Sequence, residues 1–350
     1  MRSGQQWSKF VGLVLVLSLM VGCAESKKPG SGSGTTGGTT GAAVTKEGAI
    51  ADLPGCEGAV VPSLETIEKG EYTPLSRPLF VYVNKKALKK PEVAGYVKVM
   101  LGKAQDYVEK AGFIKLKESL LKEQQAKLDA EIADVKFPEK LTAGSVSANG
   151  SSTVFPFSVV AAELFEKANE NVRVTVGKKG TGGGFEKFCT GETDISNASR
   201  PIKQNEIDKC AANNVEYLEL TVCIDGLTVC VNPKNDWCSC LTVEQLKSLW
   251  EPTSTIKKWN QLNPAWPDAD IELFGADTDS GTFDYFTEVI VGKSKSSRSD
   301  YTASSEDNTL VKGIEGNKHA LGYFGYSYYD KNRKKLKAVG IIPAAKSEKK

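Results

Sequence analysis

Three clusters of glycine and hydroxyl residues have the composition of a binding site for a small anion. They occupy residues 149–156, 177–184 and 277–282. Each precedes a segment predicted to be a helix, so the free backbone N–H groups of that helix's first turn would face a bound anion. Serine and threonine hydroxyls add donors, and glycine lets the backbone approach closely. A tetrahedral oxyanion needs donors of this kind from several directions.

A plain helix cap is the alternative explanation for each cluster, because serine and threonine are preferred N-cap residues without any ligand. Three clusters together, one with a run of glycines that a cap does not require, favour the anion site. None ends in the Gly-Lys-Ser/Thr of a P-loop, and none has the dinucleotide-binding fingerprint with its later acid. The clusters therefore disfavour ATP and NAD as ligands.

Arg200, which Pro201 follows, could supply a positive charge to the same anion. A guanidinium held in a turn can bind two oxygens of an oxyanion at once. A surface salt bridge is the alternative role for this arginine.

The overall composition excludes several classes of function. The 350 residues include 45 Lys+Arg and 43 Asp+Glu, and a net charge of +2 excludes nucleic-acid binding through sheer basicity. His319 is the only histidine, which excludes a histidine-rich metal site and disfavours Ser/His/Asp hydrolysis. We therefore expect no catalytic residues, no metal, no cofactor and no nucleic-acid partner.

The first 23 residues have the form of a bacterial lipoprotein signal peptide. Basic residues precede an apolar run too short for a comfortable membrane span, and Gly22 comes directly before Cys23. We expect Cys23 to be lipidated, residues 24–58 to form a Gly/Ser/Thr-rich tether and residues 341–350 a lysine-rich tail. An ordinary signal peptide or an uncleaved anchor is the alternative, and each interpretation places the protein outside the cytoplasm, in the periplasm or at the cell surface.

Seven cysteines remain once Cys23 is assigned to lipid. In an oxidising compartment most of them should form disulfides, with one thiol left over. The six from Cys189 to Cys240 allow 15 pairings, which stay open. Cys238 and Cys240 are expected to form structural disulfide bridges rather than a metal or redox site, because no second pair stands at zinc-ribbon spacing and no histidine is nearby.

The elements that must position the clusters alternate between strand and helix, which predicts an α/β fold with mixed or parallel sheets. The predicted strands are 78–83, 144–148, 172–176, a pair within 216–231, 271–275, and a strand with its turn at 319–329. The predicted helices are 91–112, 115–134, 157–168, 184–190, 243–250 and 282–291.

Five motifs in combination resemble the phosphate-binding lipoproteins that serve phosphate ABC importers. They are Gly-Ser-Ser-Thr-Val-Phe-Pro (150–156), the Gly-Thr-Gly-Gly-Gly loop with Asp-Ile-Ser-Asn-Ala-Ser-Arg-Pro-Ile (194–202), Asp-Gly-Leu-Thr-Val-x-Val-Asn-Pro (225–233), Thr-Asp-Ser-Gly-Thr-Phe (278–283) and Gly-Tyr-Phe-Gly-Tyr-Ser-Tyr (322–328). The resemblance implies a two-lobed periplasmic-binding-protein fold of class II type, which clamps one phosphate by hinge closure. It also implies a non-enzymatic monomer whose partners are the importer's membrane subunits.

The family's ligand roles carry over to the three clusters, with two departures. The matching residues are Ser152, Thr153, Thr181, Gly182, Ser280, Gly281 and Thr282. Ser199 stands where many members place an aspartate that accepts the proton of hydrogen phosphate, and Ala276 where they place an arginine. Arg200 is therefore expected to supply the guanidinium, and Asp277 or Asp279 the acceptor. Weaker selectivity against sulfate is the alternative.

The order of segments differs from that of the family. Residues 59–140 resemble the family's C-terminal part yet precede the first cluster, which implies a circular permutation. A truncated tandem copy is the rival explanation. The expected boundaries are 59–140 completing lobe 1, 141–222 as its core, 223–320 as lobe 2 and 321–340 as a strand returning to lobe 1.

Two other classes of function stay open at this point. One is an extracellular phosphatase using Ser152 or Ser280, for which the sequence offers no evident base. The other is a sensor or adhesin that kept the fold without transport, or a binder of another oxyanion such as sulfate.

Overall fold

In the computed structural model, which describes residues 50–344, a nine-stranded mixed sheet runs through both halves of the molecule. The strands are β1 Ser76–Asn84, β2 Gly144–Gly150, β3 Val172–Val176, β4 Ile195–Ala198, β5 Tyr217–Val231, β6 Cys240–Thr242, β7 Glu272–Ala276, β8 Thr302–Ser304, β9 Ala320–Gly325, β10 Lys337–Ala338 and β11 Gly340–Ile342. The order along the large sheet is β3-β2-β4-β1-β5-β9-β7-β8, β10 pairs with β5, and β6 and β11 form a separate parallel pair.

The helices cover the faces of these sheets. They are α1 Leu64–Glu68, α2 Pro91–Met100, α3 Glu118–Glu131, α4 Phe155–Ala168, α5 Gly180–Phe188, α6 Gln204–Ala212, α7 Val243–Trp250, α8 Trp259–Leu262, α9 Gly281–Phe286, α10 Asp307–Gly316 and α11 Tyr326–Lys331. Short 3₁₀ turns lie at Ala87–Lys89 and Lys103–Tyr107, and a π turn at Thr287–Val291 continues α9.

Strand β5 belongs to both lobes. Its residues up to Gly226 pair antiparallel with β1, and from Leu227 onward they pair antiparallel with β9. The prediction of a strand pair within 216–231 was wrong, because Asp225-Gly226 has the composition of a turn but continues the strand. Nearly every residue from Leu220 onward is buried, so the strand has no exposed face that would reveal its period.

Two separate hydrophobic cores define the two lobes of this periplasmic-binding-protein fold. In the first lobe, α2 and α4 pack on the sheet through residues such as Tyr96, Phe157 and Phe165. The second lobe contains an aromatic core in which the rings of Phe286 and Tyr323 stack with centroids 3.6 Å apart. Burial of such large rings dominates the stabilisation of each lobe.

Residues that precede β2 are part of both cores. Strand β1 lies between β4 and β5 and is antiparallel to both. Ile67, Tyr72 and Leu75 pack into the core of the second lobe. The segment before residue 137 is therefore integral to the fold, although the lobe boundaries expected from the sequence stay a prediction.

Several predicted helices have different bounds in the structure. The helix predicted at 91–112 ends at Met100, where Gly102 leaves the helical region. The helix predicted at 184–190 begins already at Gly180, so the glycine run forms its first turn. The strand and turn predicted at 319–329 are β9 followed directly by α11.

The cysteine prediction was wrong in two respects: more than one thiol is free, and Cys238, which was expected to form a disulfide, is one of them. Cys56 pairs with Cys240 and Cys189 with Cys210, while Cys223, Cys230 and Cys238 are free and buried. Three thiols are therefore left over in the described part of the chain. Cys223 and Cys230 lie on β5 within the two cores, where cysteine packs as a small apolar residue. Burial raises the pKa of all three thiols, which makes them poor nucleophiles.

The predicted signal peptide, Cys23, most of the tether and residues 345–350 lie outside the described residues. Between residues 50 and 344, no helix combines the length and hydrophobicity needed to cross a membrane.

Candidate functional site

The first cluster forms the turn from β2 into α4. Gly150 has φ +142°, and a Cβ there would collide with the Asn197 carbonyl oxygen, so only glycine fits. The Ser151 hydroxyl accepts a hydrogen bond from the Thr153 N–H at 3.2 Å and fixes the turn. Ser152 and Thr153 are thereby placed at the carboxyl end of β2.

The second cluster is the first turn of α5 and contacts the end of β4. The Thr181 hydroxyl lies 3.0 Å from the Ser199 hydroxyl and accepts the Ser199 N–H at 3.2 Å. An ideal Cβ at Gly184 would lie 2.5 Å from the Gly150 Cα, so a side chain there would displace the first cluster. The glycine run therefore holds two clusters against each other.

The third cluster caps α9. The Ser280 hydroxyl accepts the Thr282 N–H at 3.1 Å, and the Asp277 carboxylate accepts the Asp279 N–H at 3.1 Å. An ideal Cβ at Gly281 would lie 3.0 Å from the Thr153 Cα. The third cluster thus touches the first, and glycine allows this approach between the lobes.

A cavity of about 200 Å³ lies where the first two clusters face the end of α9. Its lining contains the predicted Ser152, Thr153, Thr181, Gly182, Ser199 and Arg200. We call it the inner cavity. Arg77, Asp284 and Glu288 also line it and were not predicted.

A larger cavity of about 530 Å³ shares Ser152 and Thr153 with the inner cavity. We call it the outer cavity. Its lining contains the other predicted residues, Asp277, Asp279, Ser280, Gly281 and Thr282. The structure therefore divides the predicted site between two adjoining cavities, with the first cluster common to both.

Arg200 lines the inner cavity, but both Nη atoms of its guanidinium already donate hydrogen bonds within the protein. Its two Nη atoms donate to the Glu206 carboxylate at 2.8 and 2.7 Å, and Nη1 also donates to the Pro201 carbonyl. The hydrogen bond to Glu206 raises the pKa of the arginine, against the effect of its burial. The charge that we expected to hold the anion is largely neutralised by Glu206.

Arg77 is the arginine that sequence reasoning missed. It stands directly opposite Asp225 where β1 pairs with β5, and its side chain is 13% exposed. Nη2 donates to the Thr153 hydroxyl at 3.3 Å, Nε lies 3.5 Å from Asp225 Oδ2, and the guanidinium lies 3.5 Å from the centre of the Tyr285 ring. Its long contacts leave hydrogen-bonding capacity for a ligand.

The sequence contains one feature that could have identified Arg77 as a candidate site residue, a repeated tripeptide. Ser76-Arg77-Pro78 repeats the composition of Ser199-Arg200-Pro201. The sequence alone does not show that the two tripeptides meet, because β1 joins β4 through pairing with a distant part of the chain.

Two carboxylates, Asp225 and Glu288, contact Arg77, and a third, Asp284, lines the same cavity as the arginine. Asp225 is buried, and this desolvation raises its pKa although the nearby Arg77 acts in the opposite direction. Asp284 accepts the Ser152 hydroxyl at 3.0 Å, and Glu288 Oε2 lies 3.4 Å from Arg77 Nη1. The inner cavity therefore combines strong donors with acceptors.

This arrangement is suited to binding an oxyanion. Arg77 and the hydroxyls of Ser152, Thr153 and Thr181 converge on one small space. His319 lines neither of the two cavities and lies against Trp237, with ring centroids 5.3 Å apart. The serine hydroxyls therefore have no imidazole base beside them.

The fold and this site define a two-lobed α/β binding protein. Residues 137–350 match the family model described as a PBP superfamily domain, and the chain belongs to that family. The family comprises extracytoplasmic substrate-binding proteins and is not an enzyme family.

Individual relatives agree with this assignment. Protein SphX of Synechocystis is 47% identical over 202 residues, which are 57% of this chain and 60% of that protein. The phosphate-binding protein PstS of Staphylococcus saprophyticus is 42% identical over 200 residues, again 57% of this chain and 60% of the relative. The chain thus spans about 60% of the length of these curated relatives.

A solved structure shows the same partial likeness. The crystal structure of a possible phosphate binding protein from Planctomyces limnophilus is 54% identical, with a TM-score of 0.56. The match covers 57% of this chain and 71% of that one.

Proposed function

We propose that the inner cavity binds inorganic phosphate and that the protein delivers it to an ABC importer. The observation that carries the proposal is the convergence of the Arg77 guanidinium with hydroxyls from two clusters in about 200 Å³. An oxyanion that leaves water needs replacement donors, and arginine with hydroxyls and helix N-termini provides them. PstS and the Planctomyces protein, which are described as phosphate-binding proteins, support this choice of anion.

Each group of predicted residues has a place in this proposal. Ser152, Thr153, Thr181 and Gly182 would donate to the anion directly, while Ser199 orients the Thr181 hydroxyl. Arg77 would replace the missing family arginine, and Arg200 would shape the wall of the cavity. The cluster Ser280, Gly281 and Thr282, with Asp277 and Asp279, would contact the anion only when the lobes move, because it lines the outer cavity.

Calorimetric titration of anion-stripped protein with phosphate and with sulfate, at pH 6 and pH 8, tests the proposal. We expect one-to-one binding of phosphate without turnover of phosphate esters. Equal binding of both anions would mean a general oxyanion site, because Ser199 replaces an acidic acceptor. Binding of neither anion would contradict the proposal and favour an adhesin or sensor.

We also propose that the protein is a monomer anchored to the membrane through lipid on Cys23. The support is the signal-peptide pattern and the extracytoplasmic character of the family. Fractionation of cells expressing Cys23→Ala tests the anchor, since the variant should leave the membrane fraction. A variant that stays with the membrane would argue for an uncleaved apolar anchor.

The order of the segments agrees with the proposed circular permutation. The family model begins at residue 137, yet β1 lies in the middle of the sheet. A central strand supplied from outside the matched region is expected when a C-terminal segment has moved to the front of the chain. Under this proposal Arg77 is the anion ligand that the moved segment carries.

A further inference from the structure

Two carboxylates from one helical segment take up donors that the anion would need. Glu288 Oε2 lies 3.4 Å from Arg77 Nη1, and Asp284 Oδ2 accepts the Ser152 hydroxyl at 3.0 Å. Asp284 lies on α9 and Glu288 on the π turn that continues it. Residues four apart on a helical segment project from nearly the same side, which here faces the inner cavity.

The partners of Arg77 differ in how firmly they are held. The side chain of Asp225 is 6% exposed and stands opposite Arg77 in the β1–β5 pairing, so it stays with the arginine. The side chain of Glu288 is 50% exposed and contacts a single Nη atom. A half-exposed carboxylate loses little when water replaces its ion pair. Glu288 is therefore the partner that can leave.

The contact has a direct consequence for anion binding. An anion in the inner cavity needs the Nη side of Arg77, because Nε faces Asp225. The Glu288 carboxylate occupies that side and carries the same sign of charge as the ligand. Two negative charges bound to the same guanidinium repel each other, so binding of the anion should displace Glu288.

We infer that Glu288 is an internal competitor of the anion for Arg77 and that its displacement limits the affinity of the site. The inference rests on the proposed function. It gives the carboxylate a role opposite to that of a proton acceptor: Glu288 weakens binding of every anion, whereas an acceptor would strengthen binding of hydrogen phosphate alone.

Titration of Glu288→Gln with phosphate and with sulfate distinguishes these roles by the sign of the effect. We expect phosphate to bind about two- to fivefold more tightly than to the unsubstituted protein, and sulfate affinity to rise as well. Glu244→Gln, on the exposed side of α7, removes the same charge outside the two cavities and should change neither affinity. Thermal unfolding of each variant confirms that the compared proteins are folded.

Other outcomes overturn the inference. Unchanged phosphate affinity would show that Glu288 does not compete, and weaker phosphate binding would show that it accepts a proton from the anion. If the unsubstituted protein binds no phosphate, the proposed function fails as well. If it binds phosphate and Glu288→Gln binds no more tightly, only the competitor role fails.

Release kinetics supply an independent readout. A carboxylate that recaptures Arg77 should speed dissociation, so Glu288→Gln should release phosphate more slowly in stopped-flow measurements. Slower phosphate release at an unchanged melting temperature would not be expected if Glu288 had only a structural role.

Discussion

Two Ser-Arg-Pro tripeptides each contribute an arginine to the inner cavity, and the two arginines differ in how tightly they are paired with carboxylates. Arg200 donates two short hydrogen bonds to Glu206, whereas Arg77 makes only long contacts of 3.3 to 3.5 Å. The carboxylates differ as well. Burial raises the pKa of Asp225, while the pKa of Glu206 is lowered, because hydrogen bonds from Arg200 and the backbone outweigh desolvation.

The difference shows that local sequence does not decide which arginine can serve a ligand. The tripeptides are identical, so the neighbours that tertiary structure supplies set the outcome. Glu206 follows Arg200 by six residues and reaches it from the start of α6. Asp225 reaches Arg77 only through strand pairing.

Replacement of Arg77 should have the largest effect. Arg77→Gln removes the charged donor from the inner cavity, and loss of a charge-assisted hydrogen bond costs about 2 to 3 kcal/mol, or roughly 30- to 150-fold in affinity. Calorimetric titration with phosphate measures it. Arg77→Lys keeps the charge without the fork and should lose less. Unchanged affinity in both variants would remove Arg77 from the site.

The matched change at Arg200 should affect stability rather than binding. Arg200→Gln removes the guanidinium that binds the Glu206 carboxylate, and the Glu206 side chain is only 12% exposed. We expect the free energy of unfolding to fall by about 1 to 2 kcal/mol. Phosphate affinity should change less than about threefold, since Glu206 already neutralises the charge. A loss of phosphate affinity as large as that of Arg77→Gln would show that Arg200 also binds the anion.

The smallest expected effect is a difference in how the Arg200–Glu206 and Arg77–Asp225 pairs change the free energy of unfolding with pH. Glu206 has a lowered pKa in the folded protein, so its stabilisation is present above its ordinary pKa and is lost as pH falls. Asp225 has a raised pKa, so its ionisation costs stability as pH rises.

Urea unfolding at pH 4 and pH 7 measures this contrast. The stability deficit of Glu206→Gln should grow towards pH 7, whereas Asp225→Asn should gain stability relative to the unsubstituted protein over the same interval. Parallel behaviour of the two variants would show that the pairs do not differ in their acid–base properties.

Much of the fold followed from the sequence, because its signals are local. The strands at 78–83, 144–148 and 172–176 lie within β1, β2 and β3, and the helix at 243–250 is α7. Apolar periodicity and capping residues report such elements directly. The continuity of β5 escaped prediction, since a buried Asp-Gly in a strand has the same composition as a turn.

The sequence predicted the hydrogen-bond donors that line the inner cavity, but not which charged side chains line it. Clusters of hydroxyl residues and glycine are typical of helix N-termini. The clusters that contain Ser152 and Thr181 both line the inner cavity. The identity of the available arginine depends on long-range pairing, as do the positions of Asp284 and Glu288 across the cleft. No local pattern encodes which carboxylate stands opposite which guanidinium.

The shared strand β5 has a consequence for how the molecule unfolds. The two lobes are joined through one continuous strand, because β5 pairs with β1 up to Gly226 and with β9 from Leu227 onward. Unfolding of one lobe therefore frees the adjoining end of β5 and weakens the strand pairing in the other lobe. The lobes should therefore behave in calorimetry as one cooperative unit with a single heat-absorption peak, although each has its own core.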